Sequence, residues 1–329
     1  MEPTFADVLD ARRTIAKYLK PTPFFKCVPL SERLGFEAYI KCENLQPTGA
    51  FKVRGGINLL SKLSENEKRC GVITASTGNH GSSIAYACAL FGVKAIICAP
   101  VGANPYKIQT IRNLGATVEL HGKDFDEARL WVENEAREKG YRYIHPVNEP
   151  LLIAGVGTLY LEILEELPDV DTIFVPVGGG SSASGACIVA KTINPSIRVI
   201  GVQSKGAPAV YESWRSGKMI ETAKIDTFAD GLATRVPFEM TMSIMRRLID
   251  EIILVTERDL KQAIRLLLET AHQVAEGAGA ASTAGAAKMC RELKGKKVAI
   301  VISGGNLSLQ MMRDIILMKD EWPSTKESM

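Results

Sequence analysis

The chain lacks the sequence patterns of several common enzyme and membrane classes. Its 329 residues contain no CxxC, HExxH or GxSxG, which leaves zinc enzymes and serine hydrolases without support. No apolar run is long enough to span a bilayer, and Asp7, Asp10, Arg12 and Arg13 interrupt any N-terminal signal pattern. We therefore expect no membrane partner and a cytoplasmic location.

An excess of one charge sign is also missing. The 40 Lys and Arg residues are interspersed with 37 Asp and Glu residues, giving a net charge of +3, so we expect no nucleic-acid partner. Cysteine is scattered and odd in number, which favours reduced thiols in the cytosol over disulfides or zinc. The seven cysteines are Cys27, Cys42, Cys70, Cys88, Cys98, Cys187 and Cys290.

What is present is an alternation of short apolar segments with segments of helical spacing. This pattern predicts an α/β fold with mainly parallel strands and helices on both faces. The units form two batches, at roughly 67–148 and 149–329. Strands are predicted at 71–76, 94–100, 172–177, 198–204 and 296–305, and helices at 104–115, 125–140 and 258–275.

Three polar, glycine-bearing loops follow predicted strands, where ligands bind in such sheets. In GGGSSASG (178–185), backbone N–H groups and a helix start favour a phosphate over a ligand-free turn. NAD is disfavoured, because Gln203 stands where an acid should hold the ribose. STGNHG (76–81) suits a second anion such as a carboxylate, although His80 is equally often structural. In SGGN (303–306), Ser303 alone is more often a helix cap.

Lys52 lies between Phe51 and Val53 in the segment NLQPTGAFKVRGG. Apolar neighbours lower the pKa of an amine, and a neutral lysine can act as a nucleophile or a base. Without further motifs, a lysine in such a segment is more often an ordinary surface residue than a catalytic one. Together with a phosphate loop and a carboxylate loop, it implies a cofactor that carries phosphate and captures amines.

Six motifs in register carry a resemblance that spans about Ala11 to Asp314: ENLQPTGAFKVRGG, STGNHGSSIAYA, IHPVNEPLLIAGVGT, VPVGGGSSASG, VAEGAGAAS and VISGGN. The chain resembles the fold type II (tryptophan synthase β-like) enzymes that use pyridoxal 5'-phosphate (PLP), in the threonine dehydratase and serine racemase branch. The resemblance implies two open, twisted, mostly parallel sheets flanked by helices. It also implies a large domain (1–66 and 149–329), a small mobile domain (67–148) and PLP in the cleft between them.

The resemblance also implies roles for individual residues. Lys52 bonds to the cofactor and acts as the catalytic base, and Thr77 is the second catalytic candidate. The remaining cofactor contacts fall on Phe51, Asn79, Gly178, Gly179, Gly180, Ser181, Glu276 and Ser303, and the substrate carboxylate pocket is lined by Ser76, Thr77, Asn79 and His80.

The reaction implied is α,β-elimination from a β-hydroxy-L-amino acid such as L-threonine or L-serine, by a homodimer. No metal is expected, because Gln203 and Ala209 stand where many relatives have carboxylate ligands. No regulatory domain follows residue 320, so the feedback-inhibited form of threonine dehydratase is not expected.

Several alternatives stay open. The same scaffold serves amino acid racemases, and STGNHG is also similar to the hydroxyectoine-utilisation dehydratases. A cysteine synthase-like enzyme is less well supported, because such enzymes carry TSGNTG at the position of STGNHG. A non-catalytic ligand-binding protein is disfavoured by the intact Lys52 and Ser303.

Overall fold

The computed structural model describes residues 1–76, 78–103, 105–123 and 125–318, apart from the side chain of Asp126. Within these ranges the α-helices, in chain order, are α1 (Phe5–Ile15), α2 (Val28–Leu34), α3 (Lys52–Leu60), α4 (Glu65–Cys70), α5 (Asn79–Phe91), α6 (Pro105–Asn113), α7 (Phe125–Lys139), α8 (Pro150–Glu166), α9 (Ser181–Ile193), α10 (Ala209–Ser216), α11 (Glu239–Leu248), α12 (Glu257–Ala271), α13 (Gly277–Lys288) and α14 (Leu309–Ile316). The strands are β1 (Phe24–Lys26), β2 (Glu37–Cys42), β3 (Val72–Ala75), β4 (Ala95–Ala99), β5 (Thr117–Leu120), β6 (Arg142–Tyr143), β7 (Thr172–Pro176), β8 (Arg198–Ser204), β9 (Glu251–Val255) and β10 (Lys297–Ile302).

The chain divides into two compact units, and the division falls within α8, after Thr158. The first unit comprises Met1, Pro3–Lys20 and Phe51–Thr158. Its four-stranded sheet has the order β5-β4-β3-β6, and every neighbouring pair is parallel. All residues of β3 and β4 are buried, as expected for central parallel strands covered on both faces.

The second unit comprises Glu2, Pro21–Ala50 and the chain from Leu159 on. Its six-stranded sheet has the order β1-β2-β10-β7-β8-β9. Only β1 runs antiparallel to its neighbour, so the sheet is mostly parallel. The helix α13 is rich in small residues and is almost wholly buried, which lets it pack closely on the central strands of this sheet.

Local sequence explains where several helices begin. Thr4 and Asp7, Ser64 and Glu67, and Thr256 and Asp259 each form a reciprocal capping box at the start of α1, α4 and α12. In α12 the apolar residues recur at helical spacing and are buried on one face. The helical spacing in α12 is the pattern on which the prediction of this helix rests, whereas the capping boxes were not used in the predictions.

The predicted fold class is confirmed: two mostly parallel sheets are flanked by helices. The predicted helix 258–275 is four residues too long at its end, because His272 adopts the left-handed conformation (φ 55°) and stops α12. The predicted small domain, 67–148, lies inside the first unit, and the domain boundaries themselves stay a prediction. In the described part of the chain, no helix is both long and apolar enough to cross a membrane.

Candidate active site

Lys52 begins α3, and its amine lies in surroundings without a counter-charge. Its Nζ is 5.6 Å from the centroid of the Phe51 ring and 3.4 Å from the carbonyl oxygen of Pro146. Within residues 1–76, 78–103, 105–123 and 125–318 it forms no ion pair. Burial lowers the pKa of Lys52 from 10.5 to about 8, so a sizeable fraction of the amine is neutral near neutral pH.

The backbone of Lys52 is held by close packing of α3 against its neighbours in the first unit. The Ser83 hydroxyl, on α5, donates a 2.6 Å hydrogen bond to the carbonyl oxygen of Lys52. A Cβ on Gly56 would come within 2.5 Å of that hydroxyl, and one on Gly55 within 2.9 Å of the Leu152 carbonyl oxygen. The two glycines after Lys52 therefore let α3 approach α5 and α8, which fixes where the lysine stands.

Ser76 organises the loop before α5. Its Oγ accepts hydrogen bonds from the N–H of Gly78 (3.2 Å) and of Gly81 (2.8 Å), which caps the helix start in place of a side chain on Gly78. The Ser76 O–H itself donates only a long 3.5 Å hydrogen bond to the Gly78 carbonyl oxygen, so its hydrogen can turn to an anion such as a carboxylate. Asn79 is half-buried at the first position of the helix, and Thr77 lies outside the described residues.

His80 is buried within the first unit and contacts Thr74 rather than solvent. Its Nε2 lies 3.0 Å from the Thr74 hydroxyl oxygen. Burial lowers the pKa of His80 well below its ordinary value, and the nearby charges of Lys52 and His145 add to this effect. His80 is therefore neutral at physiological pH and lies within the electrostatic reach of Lys52.

The predicted phosphate loop joins β7 to α9 in the second unit. Gly180 is the N-cap of α9 with φ 96°, a left-handed conformation that favours glycine, and no side chain caps the helix. A Cβ on Gly178 would collide with the Gly231 carbonyl oxygen. The free N–H groups of the first turn of an α-helix bind anions, so the loop fits a phosphate.

Ser303 and Glu276 both border Gly304, at the end of β10. Ser303 is 3% exposed, and its hydroxyl donates a long 3.3 Å hydrogen bond to the Ala278 carbonyl oxygen. The Glu276 N–H donates to the Gly304 carbonyl oxygen at 3.0 Å, and a Cβ on Gly304 would collide with the Glu276 carboxylate. Ser303 does not cap α14, because Ser308 does so. The helix-cap interpretation of Ser303 is therefore wrong.

Some residues that position the site were not predicted from the sequence. The Thr241 hydroxyl donates to the Gly179 carbonyl oxygen at 2.7 Å and steadies the phosphate loop from α11. The Tyr160 hydroxyl lies 2.5 Å from Ser182 Oγ, just after that loop. These contacts join distant parts of the sequence, and no local motif marks them.

Each unit, described by itself, carries groups of distinct chemistry. The first unit holds a partly neutral lysine next to an aromatic ring and a loop with donors for a carboxylate. The second holds a glycine loop at a helix start and a buried serine. An amine that captures an aldehyde, a cradle for a phosphate and a neutral partner for a ring nitrogen are the groups that PLP requires. The donor set therefore fits PLP.

Comparison with known proteins agrees with this chemistry. The sequence profile of the family described as "Pyridoxal-phosphate dependent enzyme" matches residues 15–304. The L-threonine ammonia-lyase of Thermotoga maritima is 44% identical over 313 residues, which cover 95% of this chain and 78% of the relative.

Solved structures agree as well. The processed form of threonine deaminase isoform 2 from Solanum lycopersicum superposes with a TM-score of 0.90 at 33% identity, covering 95% of this chain and 94% of that one. The maize serine racemase also superposes with a TM-score of 0.90, at 31% identity, covering 96% of this chain and 99% of that one. Since the profile covers most of the chain and the residues fit the cofactor, this protein belongs to the pyridoxal-phosphate dependent enzyme family.

Proposed function

We propose that this protein is a PLP-dependent ammonia-lyase that converts a β-hydroxy-L-amino acid, such as L-threonine or L-serine, to a 2-oxo acid and ammonia. The observation that carries the proposal is the Lys52 amine beside the Phe51 ring and the Pro146 carbonyl oxygen, where burial lowers its pKa to about 8. Such an amine is available as a nucleophile and as a base near neutral pH. The likeness to the Thermotoga maritima L-threonine ammonia-lyase supports this reaction.

The residues that would hold the cofactor can be named individually. Lys52 would bond to its aldehyde carbon, and Ser303 would be the neutral partner of the pyridine nitrogen. The backbone of Gly178, Gly179 and Gly180, together with Ser181 at the start of α9, would bind the phosphate. Phe51, Asn79 and Glu276 are the further residues that we propose to border the ring.

In the proposed reaction, Lys52 is the residue that transfers protons. When bound, PLP supplies an electron sink for the pair that the broken Cα–H bond leaves behind. The neutral Lys52 amine removes the Cα proton and becomes an ammonium. The Cβ–O bond breaks as a Cα=Cβ double bond forms, and the ammonium returns its proton to the departing hydroxyl, which leaves as water. Hydrolysis of the released product consumes one water and gives the 2-oxo acid and ammonia. Ser303 carries no charge, so it does not enforce a protonated ring, which favours prompt loss of the β-group.

The substrate carboxylate would bind at the start of α5. The Ser76 hydroxyl accepts two backbone hydrogen bonds and donates one long bond of 3.5 Å, which a carboxylate oxygen would replace as the acceptor. Thr77, Asn79 and His80 complete this proposed pocket, with N–H groups of the helix start adding positive potential.

One assay tests the function directly. The PLP-loaded protein is incubated with a panel of L- and D-amino acids, and 2-oxo acid and enantiomer ratio are measured together. We expect 2-oxo acid from L-threonine or L-serine. Enantiomer formation without any 2-oxo acid would contradict the proposal.

The role of Lys52 has a separate test that needs no turnover. Borohydride reduction of the PLP-loaded protein followed by peptide mapping should place the pyridoxyl mass on the peptide that contains Lys52. A label on Lys41 or any other lysine would rule out the assignment.

A racemase is the second candidate, favoured by the likeness to the maize serine racemase. Racemisation requires a second acid on the cofactor face opposite Lys52, and Thr77 is the residue proposed for it. A threonine methyl group restricts χ1, so we expect racemisation to be minor. D-serine that forms from L-serine as fast as pyruvate would reverse this ranking.

The assembly and location are proposals as well. We expect a cytoplasmic homodimer in which the small domain (67–148) moves relative to the large one (1–66 and 149–329). All seven cysteines are free thiols in the structure, which supports a reducing compartment. Light scattering coupled to size-exclusion chromatography measures the mass: a monomer of 35.8 kDa would contradict the dimer.

A further inference from the structure

A chain of three buried groups links β3 to the start of α5 and to the segment after β6. The Thr74 hydroxyl donates a 2.7 Å hydrogen bond to the Ile144 carbonyl oxygen. The same hydroxyl oxygen lies 3.0 Å from His80 Nε2. Thr74 is fully buried and His80 is 7% exposed, so water does not compete for these contacts.

The chemistry of a hydroxyl group decides which atom carries the proton between Thr74 and His80. A hydroxyl has one hydrogen, and a carbonyl oxygen can only accept, so the Thr74 hydrogen points to Ile144. Towards His80 the Thr74 oxygen is therefore an acceptor, and His80 Nε2 must be the donor. Because the buried imidazole is neutral, its Nδ1 carries a lone pair and no hydrogen.

This tautomer determines what the His80 side chain can do. A lone pair accepts hydrogen bonds and repels a carboxylate, so the side chain adds no donor to the proposed carboxylate pocket. Among the described residues no group donates to Nδ1 of His80. His145 differs, because its Nδ1 already accepts from the N–H groups of Val147 (3.1 Å) and Asn148 (2.8 Å). Within the described part of the chain, Nδ1 of His80 is thus an acceptor near Lys52 that receives no hydrogen bond.

We propose that Thr74 is a positioning residue, which holds His80 in the Nε2–H tautomer so that Nδ1 accepts a hydrogen bond from the β-hydroxyl of the substrate. This rests on the proposed function, which supplies a substrate with a hydroxyl donor. The bond orients the Cβ–O bond before it breaks, and it makes His80 a determinant of preference for β-hydroxy substrates. Carboxylate binding then falls to the main-chain N–H of His80 and to the Ser76 hydroxyl.

The first test reads the tautomer and needs no turnover. PLP-loaded protein labelled with ¹⁵N-histidine is studied by long-range ¹H–¹⁵N correlation, with His80→Phe used to assign the His80 signals. We expect Nε2–H and an unprotonated Nδ1 throughout pH 6.5–9 in the wild type and in Thr74→Ser. Thr74→Val, which keeps the branched shape but has no hydroxyl, should lose this single tautomer.

The second test compares substrates. For a β-hydroxy substrate, Thr74→Val should lower kcat/KM roughly tenfold, the loss expected for one hydrogen bond, and Thr74→Ser should restore it. For β-chloroalanine, which has no hydroxyl hydrogen, Thr74→Val should have little effect. An equal loss with both substrates would show that Thr74 is merely structural and would overturn the proposal.

The two tests separate this inference from the function on which it rests. If the wild type turns over neither substrate, the proposed function fails, while the wild-type spectrum still decides the role of Thr74. An imidazolium or an Nδ1–H tautomer in the wild type overturns the inference even when turnover is normal. That measurement remains decisive if Thr74→Val does not fold.

Discussion

The Ser83 hydroxyl donates a 2.6 Å hydrogen bond to the main-chain carbonyl oxygen of Lys52, so a residue on α5 fixes the start of α3. Ser83→Ala would leave that buried carbonyl without its partner. We expect a loss of about 1–2 kcal/mol in the free energy of unfolding, and weaker covalent loading of PLP. Ser184→Ala is the control, because the buried Ser184 hydroxyl has no hydrogen-bond partner in the described residues. Equal effects of the two changes would contradict the assignment.

The lowered pKa of Lys52 predicts how PLP loading depends on pH. The attacking amine must be neutral, and its pKa is about 8. The loading rate of the cofactor-free protein, followed by absorbance, should therefore rise roughly tenfold per pH unit below 8 and level off above it. A rate that continues to increase up to pH 10 would show that Lys52 has the pKa of an ordinary lysine.

The same pKa predicts a dependence of stability on pH. Between about 8 and 10.5 the unfolded chain keeps the Lys52 proton while the folded chain has lost it. The unfolded state binds more protons, so the Lys52 contribution to the free energy of unfolding increases as pH rises through this window. Lys52→Met removes the group, and its stability should rise less with pH over the same range in urea denaturation.

A buried ion pair stabilises the second unit. Lys41 Nζ lies 2.7 Å from the Glu162 carboxylate, and the two side chains are 0% and 3% exposed. Lys41→Met would remove the ammonium partner of a buried carboxylate, so we expect a loss of about 3–5 kcal/mol in the free energy of unfolding and a lower thermal midpoint. Replacing both residues, Lys41→Met with Glu162→Leu, should recover most of the loss.

The control for this pair lies at the edge of the same sheet. Lys26 and Glu37 are 2.9 Å apart but 43% and 40% exposed, so Lys26→Met should cost less than about 1 kcal/mol. A thermal midpoint for Lys41→Met no lower than that of Lys26→Met would show that burial adds nothing to the first pair.

Gly180 should be intolerant of any side chain. Its φ of 96° strains other residues, and a Cβ would approach Met245 Cε to 2.7 Å. Gly180→Ala should destabilise the protein by about 1–3 kcal/mol and weaken PLP binding, measured by equilibrium titration. Gly35→Ala is a matched control: it has φ 79° but nothing within 4 Å of a Cβ, so it should leave PLP affinity unchanged.

Activity should not depend on a divalent cation. The Gln203 side-chain oxygen already accepts a hydrogen bond from the Tyr211 N–H at 2.8 Å, and so caps α10 instead of facing a metal. In the part of the chain that is described, no three His, Cys, Asp or Glu side chains cluster as ligands. Exhaustive EDTA treatment should change neither turnover nor thermal midpoint. A large loss that Mg²⁺ restores would reveal a site elsewhere.

Local patterns predicted the parts of the fold that local forces decide. The amphipathic face of α12 is an example, and β8 has the predicted bounds, 198–204. The helix α8 was not predicted, because residues 152–164 are buried without a break and show no polar face. The short antiparallel edge strand β1 gave no signal either, and the strand order depends on long-range packing that periodicity does not encode.

In the candidate site, too, local features could be predicted from the sequence and long-range contacts could not. The glycine loop and Lys52 are marked by neighbours in sequence, so their chemistry could be predicted. Thr241, Ser83 and Thr74 act on residues far along the chain or on another element, so only the structure identifies them. The tautomer of His80 depends on where one hydroxyl hydrogen points, and no sequence motif records that.

The strand order of the larger sheet has a consequence for synthesis on the ribosome. The strand β10 lies between β2 and β7, although it is the last strand of the described chain to be made. The first unit can complete its four-stranded sheet from one continuous run, whereas β2 and β7 must wait with unpaired edges until β10 emerges. Such long-range pairing folds slowly and exposes aggregation-prone edges in nascent chains. Ribosome-bound chains that end before Lys297 should therefore depend on chaperones, and chains that include Ile302 should not.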